Sequence, residues 1–171
     1  MNVIVGMGEA LWDVLPEGKK IGGAPANFAY HVSQFGLESC VVSAVGDDKL
    51  GAEIVSNLTS KGLKQLIETV PYPTGTVQVE IDQAGVPQYD IKENVAWDNI
   101  PNTPKLQELA SRTQAVCFGS LAQRSVVSRE TINSFLDAMP ESPDKLVVFD
   151  VNLRQGFYNK EILCNSMQRC N

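Results

Sequence analysis

IGGAPANFAYHVSQFGLESCVVSAVG, residues 21–46, couples a helical stretch to a buried strand in one short unit. Apolar residues recur at Ala26, Ala29, Tyr30 and Phe35 with roughly helical spacing, and Gly36 ends the run as a C-terminal cap does. Cys40–Val45 follows as a continuous apolar strand. Upstream, Val3–Val5 is a short β-branched run closed by Gly6 and Gly8, which predicts a buried strand leading into a loop around residues 9–13. Downstream, Gly46-Asp47-Asp48 turns the chain into residues 50–61, where Leu50, Ile54 and Leu58 recur every four residues until Gly62. The order is strand, helix, strand, helix.

The middle of the chain changes period. Thr76–Ile81 alternates apolar and polar residues and is followed, across residues 82–85, by a second strand at residues 86–91, which predicts a hairpin. Val77, Val79 and Ile81 face one way and Gln78 and Glu80 the other, so the hairpin projects from the main sheet and covers something with its apolar side. Residues 105–112 resume a helix, residues 115–119 a buried strand, residues 128–139 a helix opened by Ser-x-x-Thr, and residues 146–151 (LVVFDV) a fully apolar strand. This alternation implies an α/β fold, a parallel sheet with helices on both faces.

Composition narrows the function classes. Hydrophobic residues make up 43% of the 171 and charged residues 20%, in the range of a globular domain. The net charge of −6 and the absence of any Lys/Arg cluster argue against a nucleic-acid surface. The four cysteines include no CxxC pair, so neither a disulfide framework nor a zinc site is expected, and no other metal site is read. That usage suits a reducing, cytoplasmic setting. No stretch reads as a signal peptide or membrane span.

In sheets of this kind ligands bind outside the carboxyl ends of the strands, which selects the loops at residues 8–13, 46–48, 119–123 and 150–154. Gly22 and Gly23 precede a helix with Pro25 near its first turn, and Asn27 can donate and accept, which suits a hydroxyl-rich ligand. An ordinary tight turn explains a lone Gly-Gly-x-Pro equally simply. Asp13, in an otherwise apolar stretch, can accept bonds from neighbouring sugar hydroxyls, whereas a loop or cap carboxylate is its bland alternative. Arg154 is open to a phosphate-facing role or a surface ion pair. Phe118 and Trp97 are possible pocket walls, with core packing the commoner role of large aromatics.

Five motifs in order carry a resemblance: Gly8-Glu9-Ala10-Leu11-Trp12-Asp13, Gly22 to Asn27, Gly46-Asp47-Asp48 with Gly51, Pro73-Thr74-Gly75-Thr76, and Asp150-Val151-Asn152-Leu153-Arg154. Over nearly its whole length the chain resembles PfkB-type, ribokinase-like carbohydrate kinases, closest to the fructokinase group. The resemblance implies a parallel sheet sandwiched by helices with a small β lid, here around residues 74–92, that covers the sugar and often helps form a homodimer. It implies that Asp13, Gly22, Gly23 and Asn27 hold sugar hydroxyls, and that Arg154 stabilises the transferring phosphate, with Asp150 and Asn152 ordering it or a metal-bound water.

The same resemblance implies ATP and Mg2+ for the complete enzyme, whose main binding residues are not in these 171. The Gly-Ala-Gly-Asp segment that supplies the family's catalytic base and anion hole is missing, as is its Asn-x-x-Glu motif. Residues 1–171 therefore read as the N-terminal, sugar-binding part of a kinase domain, truncated on the C-terminal side, without the nucleotide-binding part and inactive alone. Residues 146–149 are then expected at a sheet edge. The implied reaction is phosphorylation of a monosaccharide's primary hydroxyl. A non-catalytic sugar-binding or lid-mediated dimerisation fragment is a different reading. A kinase for a keto-deoxy sugar acid or nucleoside is a third, with Arg124 as the extra cation an acid would need.

Overall fold

The computed structural model describes residues 3–81 and 87–171. Nine strands, β1 (Val3–Met7), β2 (Leu11–Leu15), β3 (Gly18–Gly22), β4 (Ser39–Gly46), β5 (Lys64–Val70), β6 (Thr76–Ile81), β7 (Pro87–Ile91), β8 (Thr113–Gly119) and β9 (Leu146–Asp150), lie among these residues. Five helices accompany them: α1 (Ala24–Gln34), α2 (Lys49–Ser60), α3 (Pro104–Ala110), α4 (Val126–Ala138) and α5 (Lys160–Arg169). The strands form two sheets. One is five-stranded and parallel, in the order β5-β4-β1-β8-β9, and the other is four-stranded, in the order β3-β2-β6-β7.

Alternation along β4 divides the interior. Val41 and Val45 pack with Ala26 and Ala29 of α1 and Ile54 and Leu58 of α2, while Cys40, Val42 and Ala44 pack toward Leu106 of α3 and Ile132 and Phe135 of α4. The five-stranded sheet is thus sandwiched by helices, as the alternating sequence predicts. β9 stands at one edge, with Leu146 46% exposed and Val147 only 3%, matching the edge position expected for this apolar run.

The second sheet is larger than the hairpin read from the sequence. β6 begins and ends where the alternation predicts and pairs antiparallel with β7, while residues 82–86 of the predicted connection lie outside the described residues. β2 adds parallel to β6, and β3 pairs antiparallel with β2. Residues 11–13, expected within a loop, instead belong to a strand, β2, that follows β1 after only Gly8-Glu9-Ala10. Leu11, Val77, Val79 and Ile91 join the larger core, so the apolar side of this sheet is covered within the chain.

Two motifs lock the sheets together. The Asp48 carboxylate caps α2 by accepting from the Gly51 amide at 2.8 Å, and also accepts from the Thr74 amide at 2.9 Å and hydroxyl at 2.7 Å. The Gly46 amide donates to the same Thr74 hydroxyl at 2.9 Å. Burial pushes the Asp48 carboxyl up, but the Thr74 and Gly51 donors outweigh it and hold the group below its ordinary value. The Gly46-Asp47-Asp48 and Pro73-Thr74 motifs are thereby tied to each other. At α4 the expected Ser-x-x-Thr start is corrected: the helix begins at Val126, and buried Ser128 bonds instead to Trp97 O and the Ile100 amide. Those backbone groups need a partner in the interior, which the hydroxyl supplies in both directions. Among the described residues no helix is long and apolar enough to cross a membrane.

Candidate active site

At the carboxyl ends of β1, β8 and β9 the second sheet and the start of α1 enclose a cleft of about 270 Å³. Asp13, Gly23, Asn27, Asn152 and Arg154 all border it, with Glu9, Leu121, Tyr89 and Ile91 among the other walls. These five sequence-derived candidates come from three separate segments of the chain. Their convergence follows from topology: parallel strands deliver their following loops to the same end.

Asp13 reaches the cleft from β2, two residues beyond Leu11, which pairs with Gly22. A side chain at Gly22 would place its Cβ 2.3 Å from the Asp13 carboxylate and 2.9 Å from Leu11 Cδ1, so the first glycine of the pair leaves room for the carboxylate. Gly22 itself does not border the cleft. Gly23 does, with φ 107°, and a Cβ there would lie 2.2 Å from the Glu9 carbonyl. The two glycines thus do different work: one makes space for Asp13, the other lets α1 start against the β1–β2 link. Asn27, exposed in the first turn of α1, donates its amide to Gly23 O at 3.0 Å, which begins the helix at the cleft wall.

Burial raises the Asp13 carboxyl above its ordinary value, and the Arg154 guanidinium opposes that rise. Arg154 follows β9 and stands 5.8 Å from the Tyr89 ring of β7, while the neighbouring Gln155 side chain donates to Tyr89 O at 3.0 Å. The loop after β9 is so held against the second sheet. Ser120 steadies its near end by donating its hydroxyl to Val151 O at 2.9 Å and its amide to Asp150 O at 3.3 Å. Asp150, at the end of β9, does not border the cleft but is felt electrostatically by Glu9 and Cys117.

Besides Gly22 and Asp150, three further expected residues do not reach the cleft. Trp97 and Phe118 are each 1% exposed and belong to the larger core, because each has apolar neighbours on a buried face: Phe118 packs 5.3 Å from Phe149. Arg124 is 7% exposed and makes a two-point ion pair with Asp98 at 2.8 and 2.9 Å, between the rings of Trp97 and Phe157. It is paired with Asp98 and does not border the cleft.

Glu9 is the residue the sequence reading passed over as a site. It is 3% exposed, borders the cleft, and its Oε2 has no hydrogen-bond partner among the described residues. Burial pushes its carboxyl up to about 7, with Asp150 adding to the rise and the Glu9 and Ala24 amides and Arg124 opposing it. The folded chain therefore keeps this proton after the unfolded chain has lost it, and stability falls as pH rises from about 4.5 to about 7. A lone acid flanked by Gly8 and Ala10 at the end of an apolar strand was the available signal.

Among the described residues no group of three or more His, Cys, Asp or Glu is placed to hold a metal ion. Residues 16–164 match the signature of the pfkB family carbohydrate kinases. The uncharacterized sugar kinase PH1459 of Pyrococcus horikoshii is 31% identical, over 90% of this chain and 54% of that protein. Its crystal structure superposes with a TM-score of 0.80 over 99% of this chain and 62% of that one, and it has also been solved in complex with ATP. An ATP-dependent 6-phosphofructokinase of Thermoanaerobacterium thermosaccharolyticum is 29% identical over 83% of this chain and 44% of that protein. A fructokinase from Vibrio cholerae O395 shares the fold, with a TM-score of 0.82 at 22% identity over 99% of this chain and 62% of that one. The chain spans about half the length of the curated relatives it matches. A family signature covering most of the residues and a strand-end cleft in the matching fold lead to one statement: the chain belongs to the pfkB family of carbohydrate kinases.

Proposed function

We propose that the protein is an ATP-dependent kinase of fructokinase type, phosphorylating a primary hydroxyl of a neutral monosaccharide, and that residues 1–171 form its sugar-holding part. The observation that carries this reading is the meeting of Asp13, Asn27 and Arg154 at one polar cleft of about 270 Å³, at the carboxyl ends of the strands. Asp13 accepts bonds from adjacent sugar hydroxyls, Asn27 donates and accepts at the start of α1, and Gly23 brings backbone close to the ligand. Arg154, on the loop after β9, faces the side where phosphate charge develops. ATP, Mg2+ and the base for the acceptor hydroxyl belong to residues other than those described. The four-stranded sheet serves as the lid, and its outer side is the surface for a homodimer.

Charge favours a neutral sugar over a sugar acid. Two carboxyl groups, Asp13 and Glu9, border the cleft, and Arg124 is committed to Asp98. A ligand carboxylate would meet repulsion with Arg154 as its main counterweight. Calorimetric titration of the 171-residue chain with D-fructose, D-ribose and D-gluconate tests this reading. Binding of a neutral sugar that is lost in Asp13→Ala supports it, while preference for gluconate transfers the assignment to the sugar-acid reading. An ATP-dependent turnover assay on the same chain addresses the non-catalytic reading; no turnover is expected, and robust turnover would require a nucleotide site among these residues.

A further inference from the structure

Glu9 is one of the buried side chains whose polar atoms lack a partner among the described residues. Its backbone is fixed between Gly8, with φ 148°, and the close approach of Gly23 to its carbonyl, so its side chain is carried by one of the most constrained points of the fold. The residue is 3% exposed yet borders the same cleft as Asp13 and Asn27, and its buried Oε2 finds no partner among the described residues. Buried polar oxygens ordinarily have one. The charged groups that act on it are Asp150 at the end of β9 and the distant, Asp98-bound Arg124, while Cys117 of β8 senses the same carboxylates. None of these supplies a hydrogen bond to Oε2.

Resting on the proposed function, we infer that Glu9 is a sugar-contacting residue, whose carboxyl completes its hydrogen bonding with a hydroxyl of the bound monosaccharide. A sugar hydroxyl suits this role in a way that an anion or a purely apolar ligand does not. It donates to the carboxylate, and when the group is protonated it accepts from the acid O–H. The residue thus discriminates by ligand class: neutral polyols are accepted in both protonation states, whereas an anionic ligand is disfavoured once Glu9 is charged. The affected pH range is set by burial, which places the carboxyl at about 7.

The test uses the 171-residue chain with D-fructose as probe and D-gluconate as the anionic comparison, at pH 6 and pH 8. Glu9→Ala is expected to weaken fructose binding about tenfold, the scale of one buried hydrogen bond. Glu9→Gln, which keeps the shape and a neutral donor and acceptor, is expected to retain most of the affinity and to lose its change between the two pH values. The Glu9 carboxyl 13C resonance provides a readout that needs no variant: its titration midpoint should move when fructose saturates the site. An unmoved midpoint, or wild-type affinity in Glu9→Ala while Asp13→Asn loses binding, would overturn the assignment and leave the sugar site standing. Absence of neutral-sugar binding by the wild type would instead overturn the functional reading, and this inference with it.

Discussion

Two arginine–aspartate arrangements in this chain use the same chemistry to opposite ends. Arg124 and Asp98 are 7% and 6% exposed in their side chains, joined at two points, and the guanidinium lies 4.1 Å from the Trp97 ring centre. Arg124 also donates to Lys92 O at 2.6 Å, and Asp98 accepts from the Val95 amide at 3.2 Å, so the pair fastens the segment after β7 to the turn after β8. Asp13 and Arg154 border an open cleft from two different sheets, and Arg154 is exposed. The first pair is joined at two points and tied to backbone on both sides, so it holds the fold together. The second borders an open cleft, and in the proposed function it is free to meet a ligand; charge and sequence position do not reveal that difference.

The comparison breaks most visibly at the closed pair. Asp98→Asn leaves Arg124 buried without its counter-ion, and a loss of about 3–5 kcal/mol is expected. For a domain of this size that lowers the melting temperature by on the order of 10 °C, measurable by calorimetry or circular dichroism. A melting point within a degree or two of wild type would mean that the pair is no structural node. Asp13→Ala is expected to do the converse: fructose affinity falls about 10- to 100-fold with little change in melting. Comparable thermal losses in both variants would erase the distinction.

A finer probe lies behind Asp13. Gly22→Ala brings a Cβ within 2.3 Å of the Asp13 carboxylate and 2.9 Å of Leu11 Cδ1, and a loss of about 1–3 kcal/mol follows from overpacking. Because the closest clash is with Asp13, the same substitution should cost less in an Asp13→Ala background. Denaturant melts of the single and double variants measure that coupling. Strict additivity would show that Gly22 is kept for some reason other than making room for the carboxylate.

The layered α/β core was legible because its strands and helices carry strong signals. β4 is buried at every position and α1 and α2 end at Gly36 and Gly62, both at positive φ. β5 was missed because an edge strand need not be apolar: KQLIETV is only partly buried. β2 and β3 were missed for a related reason, since Gly18, Lys19 and Lys20 are exposed and the strand signal of residues 11–15 merges with that of β1. At the site, Asp13, Gly23, Asn27, Asn152 and Arg154 could be assembled from motif order alone. Sequence could not separate Gly22 from Gly23, nor Arg124 from Arg154, because those distinctions depend on which atom each side chain meets across the fold. Glu9 escaped because its flanking Gly8 and Ala10 do not show how deeply the fold buries it.

The smallest effect concerns the open pair itself. Burial raises the Asp13 carboxyl, and Arg154 counteracts it from the loop after β9. Arg154→Ala removes that counterweight, so the Asp13 titration should move further up. The sign for stability follows: a carboxyl whose folded value exceeds its unfolded one costs stability as pH rises from its ordinary range through its folded value, and the variant extends that range upward. The change should be modest, because Arg154 is exposed and its field is screened over about 8–10 Å at ordinary salt. Carboxyl 13C titrations of Asp13 in wild type and Arg154→Ala, each at low and high salt, read it directly. An upward move that shrinks with added salt in this comparison would place the two groups in one electrostatic site. Identical titrations would mean that Asp13 and Arg154 share a cleft without sensing each other, and the phosphate-facing role of Arg154 would then have to be carried by geometry alone.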